Sequence, residues 1–342
     1  MAKLTLFLTL LSTILTVASA APTSFAYPLS NGFPNPNQSQ LTTIEQQAHG
    51  TLPNTPPPST LDPESETALG LIAFNELFEV AFFTQLLNNI TSAAPGYTDV
   101  PNRDQVLSTL HAVVAQEQLH ELSANGAFTN LTGKTIQPCN YTFPVDSFNA
   151  SIALASKFTD LFLGTLADVQ TIFASHNDTA LIGLVGSIIG QEGEQNGFYR
   201  SLLGEVPPAL PFLTGGALDF AFNLILQNFV VAGSCPSLDL LVSRGLKQFG
   251  VLERQDGSGT NSSSQAFMTY INQQNAPFSV PMTFTKSDGG AVFFFNASFP
   301  AETRKLSGLV VAAVTNGQGP FAGPEEVAAA TLFGPGLIEV SA

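Results

Sequence analysis

The stretch Ala115-Gln-Glu-Gln-Leu-His-Glu121 decides the reading of this chain. Glu117 and His120 are one helical turn apart. Helical steps back from Glu117 reach Val113 and Leu110, and a step on from His120 reaches Ala124. A carboxylate and an imidazole therefore occupy positions that the pattern gives to the core. Burying such groups is costly unless they pair, accept hydrogen bonds or hold a metal, so neighbouring helices must carry their partners.

Four long helices are predicted around this stretch. The first runs from about Thr67 to Asn89, with Leu71, Phe74, Leu77, Phe78, Ala81, Phe82, Leu86 and Leu87 covering most of its circumference, as in a helix enclosed by others. Glu76 and Glu79 lie on one face of it, and no lysine or arginine occurs within it to neutralise them. That face could instead meet solvent, with the aromatic residues packed on the other side. The second helix, about Asp104 to Asn125, carries Glu117 and His120. His111, nine residues before His120, is half a turn out of phase and is expected at the surface. A long connection with three glycosylation sequons and Cys139 should then run over the surface. The third helix, about Ser151 to Ser175, places Asp168 on a stripe with Phe158, Leu161, Thr165 and Ile172. The fourth, about Thr179 to Leu203, follows after a short turn, so the third and fourth are antiparallel neighbours. It puts Glu192 on its inner stripe, with Gln195 one turn further on and Glu194 on an outer face.

A fifth apolar helix is expected at about Ala217 to Val231, followed by Cys235-Pro236. Residues 21–65, rich in Pro, Ser, Asn, Gln and Thr, show no period and read as a flexible arm. The helical domain spans residues 66–255. Beyond a linker at residues 256–265, a β-rich extension occupies residues 266–342, with strands expected at Val280 to Thr285, Ala291 to Phe295, Leu309 to Val314, Ala328 to Phe333 and Leu337 to Val340.

Composition narrows the partners. Acids outnumber bases 26 to 11 and give a formal charge of −15, which argues against nucleic acid and anionic membrane surfaces, since both require clustered Lys and Arg. Residues 1–20 read as a secretory signal: Lys3 is followed by an apolar run to Val17 and by Ala18-Ser-Ala20. No later run looks long enough to span a membrane. Eight sequons, at Asn37, Asn89, Asn130, Asn140, Asn149, Asn177, Asn261 and Asn296, fit secretion to the extracellular space or cell wall. In that oxidising compartment Cys139 and Cys235 are expected to form one disulfide; the alternative is two buried thiols. There is no Gly-x-Ser-x-Gly elbow for a serine hydrolase and no phosphate-binding glycine loop.

The candidate ligands are thus Glu76, Glu79, Glu117, His120, Asp168 and Glu192. Their arrangement resembles the ferritin-like di-iron and di-manganese bundles, where two helices each give a Glu and two others each give Glu-x-x-His. Asn75-Glu-Leu-Phe-Glu-Val-Ala-Phe-Phe83, Glu117-Gln-Leu-His120, Gln191-Glu-Gly-Glu-Gln-Asn-Gly-Phe-Tyr-Arg200 and Phe229-Val-Val-Ala-Gly-Ser-Cys-Pro236 are similar to the secreted fungal ferritin-like proteins associated with late sexual development and stress. The resemblance covers roughly residues 65 to 240. It implies a mainly α fold, a ferritin-like four-helix bundle with an extra helix ahead of the β-rich extension. It implies an extracellular role in development or stress, with a cell-wall or other extracellular partner. The departures bear on chemistry. Gln195 stands where the second Glu-x-x-His would end, and the third helix offers Ala167 and the shorter Asp168 where a Glu is expected. Two readings follow: a non-enzymatic protein with a vestigial or metal-free cluster, and an iron- or manganese-dependent redox enzyme acting on dioxygen or peroxide.

Overall fold

The computed structural model describes Phe25 and residues 27–250, 266–286 and 293–340. The expected signal sequence, the linker at residues 256–265 and the sequon at Asn261 lie outside the described residues. The chain folds as a mainly helical body followed by an antiparallel sheet.

The body is built on four long helices: α2 (Pro63–Thr91), α3 (Arg103–Thr132), α4 (Phe148–Ser175) and α5 (Ile182–Leu202), with a short α1 (Gln38–Ala48) before them. Local chemistry sets their ends. Asp62 caps α2 by accepting from the Glu64 N–H, Pro63 opens its first turn, and Glu64 and Glu66 lie at its positive end. Ser147 caps α4, and Gly133 closes α3 in a left-handed conformation. Contacts fix their directions. His120 faces Glu76 while Arg103 reaches the Ile90 carbonyl, so α2 and α3 are antiparallel. Phe82 meets Phe158 and Phe78 meets Phe162, so α2 and α4 are antiparallel. Asn196 bonds Asp160 while Gln170 bonds the Ile182 carbonyl, so α4 and α5 are antiparallel too. It follows that α3 and α4 run parallel, which requires the long crossover between them.

That crossover is not the surface loop expected. Helix α3 continues to Thr132, and the segment beyond it buries Ile136, Cys139, Tyr141 and Phe143. Tyr141 and Phe143 both pack on Phe78, which also touches Phe82, Phe158, Phe162 and Phe229. The crossover thus completes the aromatic core, and its apolar residues are spaced too irregularly to show a helical period. Cys139 is disulfide-bonded to Cys235. Nearby, Tyr141 bridges Val230 just after α6 (Leu218–Asn228), and α7 (Leu238–Ser243) follows.

The arm expected at residues 21–65 is ordered over part of its length. Asn37 and Gln40 form a reciprocal capping box at the start of α1, whose Leu41, Ile44 and Ala48 pack on Ala115, Leu119 and Leu122 of α3. Phe33 is fully buried, and the Tyr27 hydroxyl donates to the Leu77 carbonyl at 2.6 Å. Three apolar residues suffice to anchor a helix that its polar composition conceals.

By length and apolar content alone, α2 and α4 could each cross a membrane, contrary to the expectation that no such run exists; here other parts of the protein bury most of both.

The sheet comprises β1 (Phe267–Asn272), β2 (Phe278–Lys286), β3 (Phe293–Ala297), β4 (Gly308–Thr315) and β5 (Thr331–Val340) in the order β3-β2-β1-β4-β5, all antiparallel. A single turn, α8 (Ala301–Arg304), precedes β4, and α9 (Pro324–Ala330) precedes β5. Residues 328–330, expected in a strand, close α9 instead, and β1 was not foreseen. Alternation divides the sheet: Ile271, Leu309, Val311 and Ala313 join the helical core, while Met268, Tyr270, Val310, Ala312 and Val314 form a second core on the other face.

The disulfide ties the crossover to the chain after α6 across 96 residues. Replacing both cysteines with serine should lower unfolding stability by about 2–5 kcal/mol in urea titrations. The unfolded, unreduced native protein should show no free thiol.

Candidate metal centre

Three helices each turn a pair of polar residues, one helical turn apart, into the same chamber: Glu76 and Glu79 from α2, Glu117 and His120 from α3, Glu192 and Gln195 from α5. All are buried except His120, whose side chain is 13% exposed. The possibility that the Glu76 and Glu79 face meets solvent is therefore excluded: the two are 0% and 1% exposed.

One ligand atom from each of Glu76, Glu117, His120 and Glu192 falls within 4.8 Å of the others. His120 Nδ1 lies 2.9 Å from Glu117 Oε2 and 3.7 Å from Glu76 Oε2. The other Glu117 oxygen accepts a 2.6 Å hydrogen bond from Gln195 Nε2. Gln195 belongs to a belt of amides: Gln116 Oε1 accepts from Gln191 at 2.9 Å and from Gln195 at 3.3 Å, and the buried Tyr199 hydroxyl donates to Gln195 Oε1 at 3.2 Å. By contrast, both oxygens of Glu76, both of Glu192 and Oε1 of Glu79 are buried without any hydrogen-bond partner.

Burial sets the protonation of this chamber. It raises Glu76 to about 7, with Glu117 adding to the rise and His120 opposing it. Glu79 and Glu192 are pushed well above the usual carboxylate range, first by burial and then by the neighbouring carboxylates. Burial alone would lower His120, but Glu117 and Glu76 outweigh it and hold the imidazole well above its ordinary value. Among the described residues no lysine or arginine forms a salt bridge with any of the four glutamates.

A single divalent cation fits this donor set. It would satisfy the partnerless oxygens of Glu76 and Glu192, and three carboxylates with one imidazole suit a hard to borderline ion such as manganese or iron. Such an ion supplies Lewis acidity and, for iron or manganese, one-electron chemistry. The chain's own part is to orient the oxygens, exclude water and hold protons until they are exchanged.

Of the six candidate ligands, four converge. Glu79 lies in the chamber but outside the convergent set. Asp168 does not belong to it: half-buried on α4, it lies beside Glu325 of α9, and burial raises both carboxyls. Helical phase placed Asp168 correctly on an apolar stripe but not at the height of the chamber, where Phe158 and Phe162 of α4 pack on α2. Sequence reasoning missed Glu121, which is 1% exposed, is held by Asn125 at 2.6 Å and is raised to about 8 by burial. It also missed the amide belt, although the four-residue spacing of Gln191, Gln195 and Tyr199 was a signal for it.

No family model matches the chain, and no curated protein matches it.

The raised acids fix how the metal-free protein responds to pH. Glu76 at about 7, Glu121 at about 8 and Asp160 at about 7 keep protons that the unfolded chain releases above its ordinary values of 4.5 for Glu and 3.8 for Asp. Their stabilising contribution is full below those ordinary values and is lost as pH climbs toward 7 to 8. Denaturant unfolding of metal-free protein should show stability falling steadily between about pH 4.5 and pH 8. Stability that rises across that range would contradict the assignment.

Proposed function

We propose that the protein is a secreted, glycosylated, ferritin-like bundle that binds a divalent cation, iron or manganese, and acts outside the cell in development or stress by binding rather than by turnover. The observation that carries the cation is the convergence of Glu76, Glu117, His120 and Glu192 with the oxygens of Glu76 and Glu192 left without partners. The ferritin-like reading is supported by antiparallel helix pairs, the long crossover and the Glu117/His120 spacing. Secretion is supported by the disulfide and by sequon asparagines that are exposed at Asn37, Asn130, Asn140, Asn149, Asn177 and Asn296. The developmental role rests on the family resemblance.

Binding is favoured over catalysis because three of the four ligands are at most 1% exposed, so no organic substrate reaches them without opening the bundle. The same closure favours one alternative, redox chemistry on dioxygen or peroxide, which are small enough to enter.

Elemental analysis after reconstitution with iron or manganese tests the reading. The protein should retain stoichiometric metal and His120→Ala should lose most of it; less than about 0.1 metal per chain would contradict the proposal. Saturating cation at about a hundred times its Kd should add about 2.7 kcal/mol to stability. Oxygen uptake by the iron-loaded protein above that of free iron would favour the redox alternative.

A further inference from the structure

We propose that Gln195 is the residue that limits this chamber to a single cation; the inference rests on the cation-binding reading above. The chamber holds one carboxyl beyond the four convergent ligands: Glu79 lies beside Glu76, Glu117 and Glu192, and its Oε1 is buried without a partner. A second cation would find in Glu79 a further oxygen ligand, once its proton is displaced. The side of Glu117 left for it is the one away from His120, at Glu117 Oε1, where the side chain at position 195 lies.

That position is filled by an N–H donor. Gln195 Nε2 points at Glu117 Oε1 at 2.6 Å and takes up the oxygen through which Glu117 would bridge to a second ion. The amide cannot readily turn its oxygen inward. Its nitrogen also donates to Gln116 Oε1 at 3.3 Å, and its oxygen accepts the Tyr199 hydroxyl at 3.2 Å. Gln116 Oε1 is itself held by Gln191 Nε2 at 2.9 Å. An amide so fixed presents the positive end of its dipole where a cation would sit, and its nitrogen has no lone pair to offer. Gln195 is thus a specificity-determining residue rather than a ligand.

The test is manganese stoichiometry, by equilibrium dialysis of the full chain, with electron paramagnetic resonance as a second readout. Wild type, Gln195→His and Gln195→Glu are compared after circular dichroism has shown that each is folded. Gln195→Glu keeps the shape and removes the N–H, so it guards against a histidine variant that fails to fold. Wild type should bind about one ion per chain with the six-line signal of isolated manganese; at least one variant should bind about two, with an exchange-coupled signal. Two ions in wild type, or one ion in both folded variants, would overturn the inference while leaving the cation-binding reading standing. No ion in wild type would overturn both.

Discussion

Four carboxylates and one imidazole share the interior of a helical bundle, and among the described residues no lysine or arginine forms a salt bridge with those carboxylates. Unpaired charge in such a place is expensive, so the chamber must hold protons, a cation, or both. The surrounding structure is organised to keep it closed. Phe78, one residue from Glu79, sits at the centre of an aromatic cluster that gathers α2, α4, the crossover and the chain after α6. The disulfide anchors that crossover, and one face of the sheet adds Ile271, Leu309 and Val311 to the same core. Apolar packing on this scale compensates for the polar interior.

The chamber is asymmetric, and the asymmetry carries its chemistry. On one side His120 Nδ1 meets Glu117 Oε2 and Glu76 Oε2, and His120 alone reaches toward solvent. On the other, Gln195, Gln116, Gln191 and Tyr199 form a belt of neutral hydrogen bonds around Glu117 Oε1. Glu117 is therefore the pivot, fully satisfied by donors, whereas Glu76 and Glu192 have oxygens waiting for a partner. Helix α4 contributes bulk rather than ligands at this level.

Much of this was legible in the sequence wherever a period was long. The four long helices and the inward phase of Glu76, Glu117, His120 and Glu192 follow from apolar spacing, because a helix of twenty or more residues repeats its pattern several times. Height along a helix does not follow from phase, which is why Asp168 was placed in the chamber when it faces Glu325. Short elements were lost for the same reason. Helix α1 is held by Leu41, Ile44 and Ala48 amid polar residues, and the crossover buries Tyr141 and Phe143 with no period at all. The amide belt is easily passed over because glutamines are ordinarily surface residues, although Gln191, Gln195 and Tyr199 recur at four-residue spacing.

The central claim is that the buried acids are retained for a cation at the expense of the metal-free fold. Thermal unfolding of Glu76→Gln beside wild type, with and without manganese at about pH 7.5, tests it most directly. The account predicts that the substitution raises the melting temperature of the metal-free protein, because an amide carries no charge to bury, and abolishes the further rise that manganese gives wild type. A variant less stable than wild type without metal, yet still stabilised by manganese to the same degree, would contradict it.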